Sequence, residues 1–155
     1  MSYFNKMTFI ILFAIIPINQ AIALDSSTCN YKTLSKLANI DIKKLTSIEK
    51  PTLEESTEGG QITEYWGNEK LKKIKVNYFG ETGESEISYY PKDGNYFVKL
   101  KEIYYTLPIY DNSSDIASMS EFNFIICDGK TPNYPNSSEI ETKYNQATHT
   151  IKSIK

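Results

Sequence analysis

Among the glutamates in the middle of this chain, Glu54, Glu55, Glu58, Glu64, Glu81, Glu84 and Glu86 are candidates for acid–base chemistry. Two carboxylates held across a cleft can act as acid and base on a glycosidic bond. A carboxylate at a strand end or turn is ordinarily just solvated, so the types alone do not make a site. Glu58 and Glu81, at the tips of two glycine turns, are the strongest catalytic candidates. Other chemistries find less. His149 is the only histidine, and it falls off the apolar stripe of its helix. Cys29 and Cys127 form an even pair that reads as one disulfide, which removes the thiolate a nucleophile needs. Asp111-Asn112-Ser113-Ser114-Asp115 offers oxygens at alternate positions but lacks the glycine and the distal glutamate of a calcium loop. No metal or cofactor is expected. Gly80-Glu81-Thr82-Gly83 resembles a phosphate cradle only in its glycines. A P-loop needs a lysine and a hydroxyl directly after the last glycine, opening a helix. Here Glu84-Ser85-Glu86 follow, and their charge repels phosphate. These glycines turn a chain.

The elements around them belong to an exported domain. Lys6 and the apolar run MTFIILFAIIPI (Met7 to Ile18) precede Ala21-Ile22-Ala23, the order of a cleaved secretory signal over 1–23. The run is shorter than the roughly 20 residues a spanning helix needs. Cleavage leaves 16 lysines against 19 acids and no arginine. Nucleic-acid binders carry a basic excess with arginine forks, so nucleic acid is not an expected partner. The mature chain, 24–155, is one domain with a periplasmic or secreted location and no membrane span.

Residues 27–49 show a helical apolar pattern in Tyr31, Leu34, Leu37 and Ala38; Asp41 caps a second short helix, and Pro51 ends the region. From Thr52 to Asp128 the period is two. Ile74, Val76 and Tyr78 alternate with Lys73, Lys75 and Asn77; Ile87 and Tyr89 alternate with Glu86 and Ser88; Tyr96, Val98 and Leu100 alternate with Phe97, Lys99 and Lys101. With turns at Gly80–Gly83 and Asp93-Gly94, Val76 faces Ile87, Ile74 faces Tyr89, Ile87 faces Leu100, Tyr89 faces Val98 and Glu86 faces Lys101. Apolar meets apolar and charge meets charge; a slip by one residue destroys the match. A further strand over Thr52–Ser56 pairs with Gln61–Trp66 through Gly59-Gly60, with a bulge near Trp66. Leu107 to Ser120 reads as a loop, Glu121 to Cys127 as a strand, and Ser138 to Lys155 as a helix with Ile140, Tyr144, Ala147, Ile151 and Ile154 on one stripe.

The order Glu58-Gly59-Gly60, Tyr65, Phe79-Gly80-Glu81-Thr82-Gly83, Tyr89-Tyr90 and Pro108-Ile109 resembles a group of small exported bacterial β-rich proteins with an EGG–Y–(F/Y)GETG–YY–P(I/V) order. The resemblance covers roughly Leu45 to Tyr110. It implies a bacterial exported β-rich domain and brings no activity with it.

The expected fold is α+β: a curved antiparallel β-meander of about five to six strands, with N- and C-terminal helices packed on one face. The expected function is non-catalytic: a monomeric binding protein of the periplasm or cell envelope, one version being an inhibitor of a hydrolase. Tyr90 and Phe97 share the lysine-bearing face, where an aromatic pair is either covered by a helix or offered to a partner. With Lys73, Lys75, Lys99 and Lys101 they form the candidate binding surface. The alternatives are a carboxylate-dependent hydrolase of envelope glycans and a structural envelope protein.

Overall fold

A computed structural model of the protein describes residues 29–52, 58–128 and 138–154. The expected leader at 1–23 and most of the expected strand at 52–56 lie outside these residues. Six strands, β1 (Thr46–Pro51), β2 (Gly60–Gly67), β3 (Lys70–Gly80), β4 (Gly83–Lys92), β5 (Asn95–Tyr105) and β6 (Ile116–Ile126), form one antiparallel sheet in chain order. Helix α1 (Tyr31–Ser35) precedes the sheet and α2 (Ser138–Ile154) follows it. The domain is α+β and dominated by strands.

The central meander has the register that alternation dictates. Val76 lies opposite Ile87, Ile74 opposite Tyr89, Ile87 opposite Leu100, Tyr89 opposite Val98 and Glu86 opposite Lys101. Asp93 and Gly94 turn the β4–β5 hairpin at φ of 50° and 78°. Those left-handed values suit the right-handed twist of the strands they join. The β2–β3 turn takes Asn68 and Glu69 through the same region, at φ of 52° and 59°. The register shifts between Tyr65 and Trp66, just ahead of this turn; the sequence leaves the register open at the Gly67–Leu71 connection.

Residues on one face of this meander build the main core. Ile74, Val76, Ile87, Tyr89, Tyr96, Val98, Leu100, Phe124 and Ile126 are buried together with Ala147 and Ile151 of α2. Burying an aliphatic or aromatic side chain of this size is worth about 1.5–3 kcal/mol relative to exposure. The α2 stripe is the one read from sequence: Tyr144 and Ile154 also pack against this cluster. Two polar contacts fix the docking. Tyr89 donates from its hydroxyl to the Ala147 carbonyl at 2.8 Å, and Lys143 Nζ meets Glu102 Oε1 at 2.6 Å.

Three boundaries differ from the sequence reading. The N-terminal helical region is shorter: α1 is followed by 3-10 turns at Lys36–Ala38 and Ile42–Lys44, the latter capped by Asp41, whose carboxylate accepts from the Lys43 amide at 3.2 Å. Thr46–Pro51, read as helix end and breaker, is the edge strand β1. Thr46 and Ile48 are β-branched, and an edge strand tolerates proline. Leu45 and Ile48 mimic a helical step, yet Leu45 packs against Gly67, where a Cβ would meet Leu45 Cδ2 at 2.7 Å. Ile116–Ser120, read as loop, forms the first half of β6. Its polar, small residues hide a strand that is exposed along an edge.

The helices do not share a face. α1 buries Leu34 against Tyr90 and Phe97, whereas α2 covers the face that carries Tyr89 and Val98. Successive strand residues point to opposite sides, so the two helices bracket the sheet.

Candidate functional site

Cross-strand registry sorts the α1-side face into rows. The first row is Tyr90, Phe97 and Ile125. α1 sits on it: Leu34 is 0%, Phe97 3% and Tyr90 6% exposed. Leu37, Ala38, Ile40 and Cys29 complete the cluster, and the Tyr31 ring meets Phe97 edge-on at 5.6 Å. The Cys29–Cys127 disulfide, with Cα atoms 5.9 Å apart, ties the start of this cover to the end of β6. Burial pushes the Tyr90 phenol above its ordinary pKa. Tyr90 and Phe97 are therefore not available to a partner as the sequence reading had them. Their neighbours in the N-terminal segment are apolar enough to claim them.

Lys73 closes this end. Although a lysine on an open sheet, it is only 8% exposed. Its Nζ lies 5.5 Å from the Tyr90 ring centroid and 5.6 Å from that of Tyr65. Ring quadrupoles attract the cation, but desolvation holds its pKa below the ordinary lysine value, only partly opposed by Glu86.

The rows beyond α1 are polar, and they open to solvent away from the buried Thr63 and Ser88. Thr63, Lys75, Ser88, Lys99 and Asn123 face one another across five strands, and Asn77, Glu86, Lys101 and Glu121 across four. Charges alternate in this second row, which is the favourable arrangement for cross-strand neighbours. Lys75 Nζ reaches Glu86 Oε2 at 3.8 Å, and Ser88 Oγ donates to Glu86 Oε1 at 3.1 Å. The last row is Phe79, Glu84, Ile103 and Met119. Between these rows lies a shallow depression of about 220 Å³, bordered by Lys75, Asn77, Glu86 and Lys101 on one side and by Phe79, Glu84 and Ile103 on the other. Of the six expected surface residues, Lys75, Lys99 and Lys101 stand on this open face. Asn77, Phe79, Glu84 and Glu121 join them, and Ile103, 8% exposed, lines the depression from below. Alternation from Lys75 places Asn77 and Phe79, and alternation from Lys101 places Ile103; Glu84 and Glu121 are placed by the register of β4 and β6.

The glycine turn between β3 and β4 is tied down by its own chain. Its carbonyls at Glu81 and Thr82 accept from the amides of Ile109 and Tyr105, each at 2.9 Å. The Glu81 carboxylate accepts from the Tyr110 hydroxyl. That bond, followed by desolvation and then by nearby carboxylate charge, raises the Tyr110 pKa. The pair stands on an open surface, where Tyr110 is 71% exposed.

The remaining candidates have structural partners. Glu64 accepts from Lys50 at 2.6 Å and from the Trp66 indole at 3.2 Å, and the Lys50 bond holds its carboxyl below the usual range. Asp111 Oδ1 accepts from the Ser113 amide at 2.9 Å and the Ser113 hydroxyl at 2.6 Å, closing a local turn. Among the described residues no group of three or more histidine, cysteine, aspartate or glutamate side chains could hold a metal ion. No helix among them is long and apolar enough to cross a membrane. Glu54 and Glu55 fall outside the described residues. Compared with known proteins, the chain matches no family model, no curated protein and no solved structure.

Proposed function

We propose that the protein is an exported, non-catalytic binding module of the bacterial periplasm or cell envelope, and that it engages a protein partner through the open rows of the α1-side face. One observation carries this reading: α1 covers the aromatic end of that face and leaves the alternating row Asn77–Glu86–Lys101–Glu121 and its depression uncovered. A lattice of alternating charges beside Phe79 and Ile103 suits a protein surface with matched charges and an apolar contact at its centre. An inhibitor of a hydrolase is one form such a module takes. The leader-like N-terminus and the disulfide favour an oxidising compartment outside the cytoplasm.

The test is capture from envelope extract by the oxidised protein, beside a Lys75→Glu, Lys101→Glu double variant. Reversing both lysines should abolish capture of the specific partner; because it sets like charges opposite Glu86 and Glu121, at a cost of up to about 1 kcal/mol each, capture is compared well below the unfolding transitions of both proteins. Capture that survives the double variant contradicts the reading.

The Glu81–Tyr110 hydrogen bond at the hairpin tip favours a second reading, a carboxylate-dependent hydrolase of envelope glycans. Release of reducing ends from envelope glycan, lost in Glu81→Gln, would support it; no turnover in the wild-type protein removes it.

A further inference from the structure

We propose that the protein pairs with a second copy of itself along the exposed edge of β6, strand against strand, over residues 116–121. Among the described residues the sheet ends at β1 on one side and β6 on the other. An end strand offers a row of unpaired backbone donors and acceptors, and soluble proteins ordinarily guard such rows with charge or proline. β1 is guarded: Glu49, Lys50 and Pro51 make up its second half. β6 is not. Ile116-Ala117-Ser118-Met119-Ser120 carries neither charge nor proline, and Ile116 and Met119 are 60% and 62% exposed. What fits an unguarded edge is another extended strand, because only a strand repeats backbone groups at the matching interval.

Charge identifies that strand as a second β6. In the antiparallel register that sets Met119 against its own copy, Ser118 lies opposite Ser120 and Ala117 opposite Glu121. No like charges meet, and the two methionines bury one another. Residues 118–121 lie on the regular side of the irregularity between Tyr104 and Tyr105, where Ser118 pairs with Tyr104 and Met119 with Ile103, and Ile116 and Ala117 lie at the irregularity itself. The pairing is isologous: each copy contributes the same edge, so the contact closes at two. The guarded β1 edges at the outer ends stop further addition. A two-fold axis normal to the sheet keeps like faces together. Met119 shares the row of Phe79, Glu84 and Ile103, so pairing sets two of the open polar faces side by side.

Sedimentation equilibrium of the oxidised protein across a concentration series tests this. The wild type should shift from monomer to dimer mass. Met119→Lys should weaken association at least ~10-fold, with an unchanged circular dichroism spectrum. Ser47→Lys on β1 should leave association intact. Met119→Cys should give a covalent dimer under mild oxidation. Monomer mass up to about 1 mM, or a dimer that Met119→Lys leaves untouched and Met119→Cys does not trap, overturns the proposal.

Discussion

Tyr89 and Tyr90 are neighbours in the chain and belong to different cores. The Tyr89 hydroxyl donates to Ala147 of α2 at 2.8 Å, while Tyr90 packs on the other side of the sheet beside Leu34 of α1. This one step sets the division of the molecule. The Tyr89 face is closed by a long helix, and the Tyr90 face is closed only at its aromatic end, leaving the charged rows uncovered.

Phe97, 3% exposed under α1, should behave as a core residue and not as a contact. Phe97→Ala is expected to cost about 3–5 kcal/mol, against total stabilities that usually lie near 5–15 kcal/mol. Phe97→Leu provides a milder variant, at about 1 kcal/mol. Lys75→Glu, on the open face, should change stability by only a few tenths of a kcal/mol up to about 0.5. Urea denaturation measures all three; equal losses at Phe97 and Lys75 would show that α1 does not seat on the sheet.

The disulfide should matter most for the α1 cover. Cys29 and Cys127 are separated by 98 residues, and closing a loop of that size is worth at most about 4.7 kcal/mol through the unfolded chain. A loss of roughly 2–4 kcal/mol is expected on reduction or in the Cys29→Ser, Cys127→Ser variant. Hydrogen exchange should then accelerate first in Tyr31–Ala38, and later in the β4–β5 ladder. Uniform acceleration across both would contradict the assignment of the bond to the cover.

Lys73 should give stability a pH dependence of unusual sign. Burial lowers its folded-state pKa, so between that value and the ordinary ~10.4 the unfolded chain binds more protons. Its contribution to stability is therefore poorest below the folded-state value and improves as pH rises towards ~10.4. Lys73→Met has no proton to lose. The stability difference, variant minus wild type, should shrink between neutral pH and about 10; the tyrosines, which titrate near ~10 in the unfolded chain, are common to both proteins and cancel in the difference. A difference independent of pH in that interval refutes the lowered pKa.

Glu69 holds a left-handed conformation, φ 59°, in the β2–β3 turn. That costs a residue with a Cβ roughly 1–2 kcal/mol. Glycine avoids the cost but loses more backbone freedom on folding. Glu69→Gly should consequently raise stability by about 0.5–1 kcal/mol, read as a higher melting temperature. A destabilised variant would mean that the carboxylate makes a contact outweighing the strain.

The meander was legible because each strand there carries two sharply different faces, and only one register matches Ile87 and Tyr89 to both neighbours. Where a strand lacks that contrast, the reading fails. Ile116–Ser120 has no alternation to detect, because neither of its faces is buried. β1 is exposed along its whole length, so nothing in its pattern distinguishes it from the helical segment before it. The rows of the candidate site were half readable. Alternation places Lys75, Lys99 and Lys101 on one face with Tyr90 and Phe97, but which end a distant five-residue helix covers depends on contacts between Leu34 and Phe97 that no local period encodes.

The most direct test of the binding reading is site-specific photo-crosslinking in intact cells, with a photoreactive residue replacing Asn77 on the open face or Asn145 on the exposed side of α2. The account predicts a discrete partner adduct from position 77, absent from position 145 and lost when Lys75 and Lys101 are reversed to glutamate. Adducts from position 145 alone, or none from position 77 in a protein that is exported and folded, would contradict it.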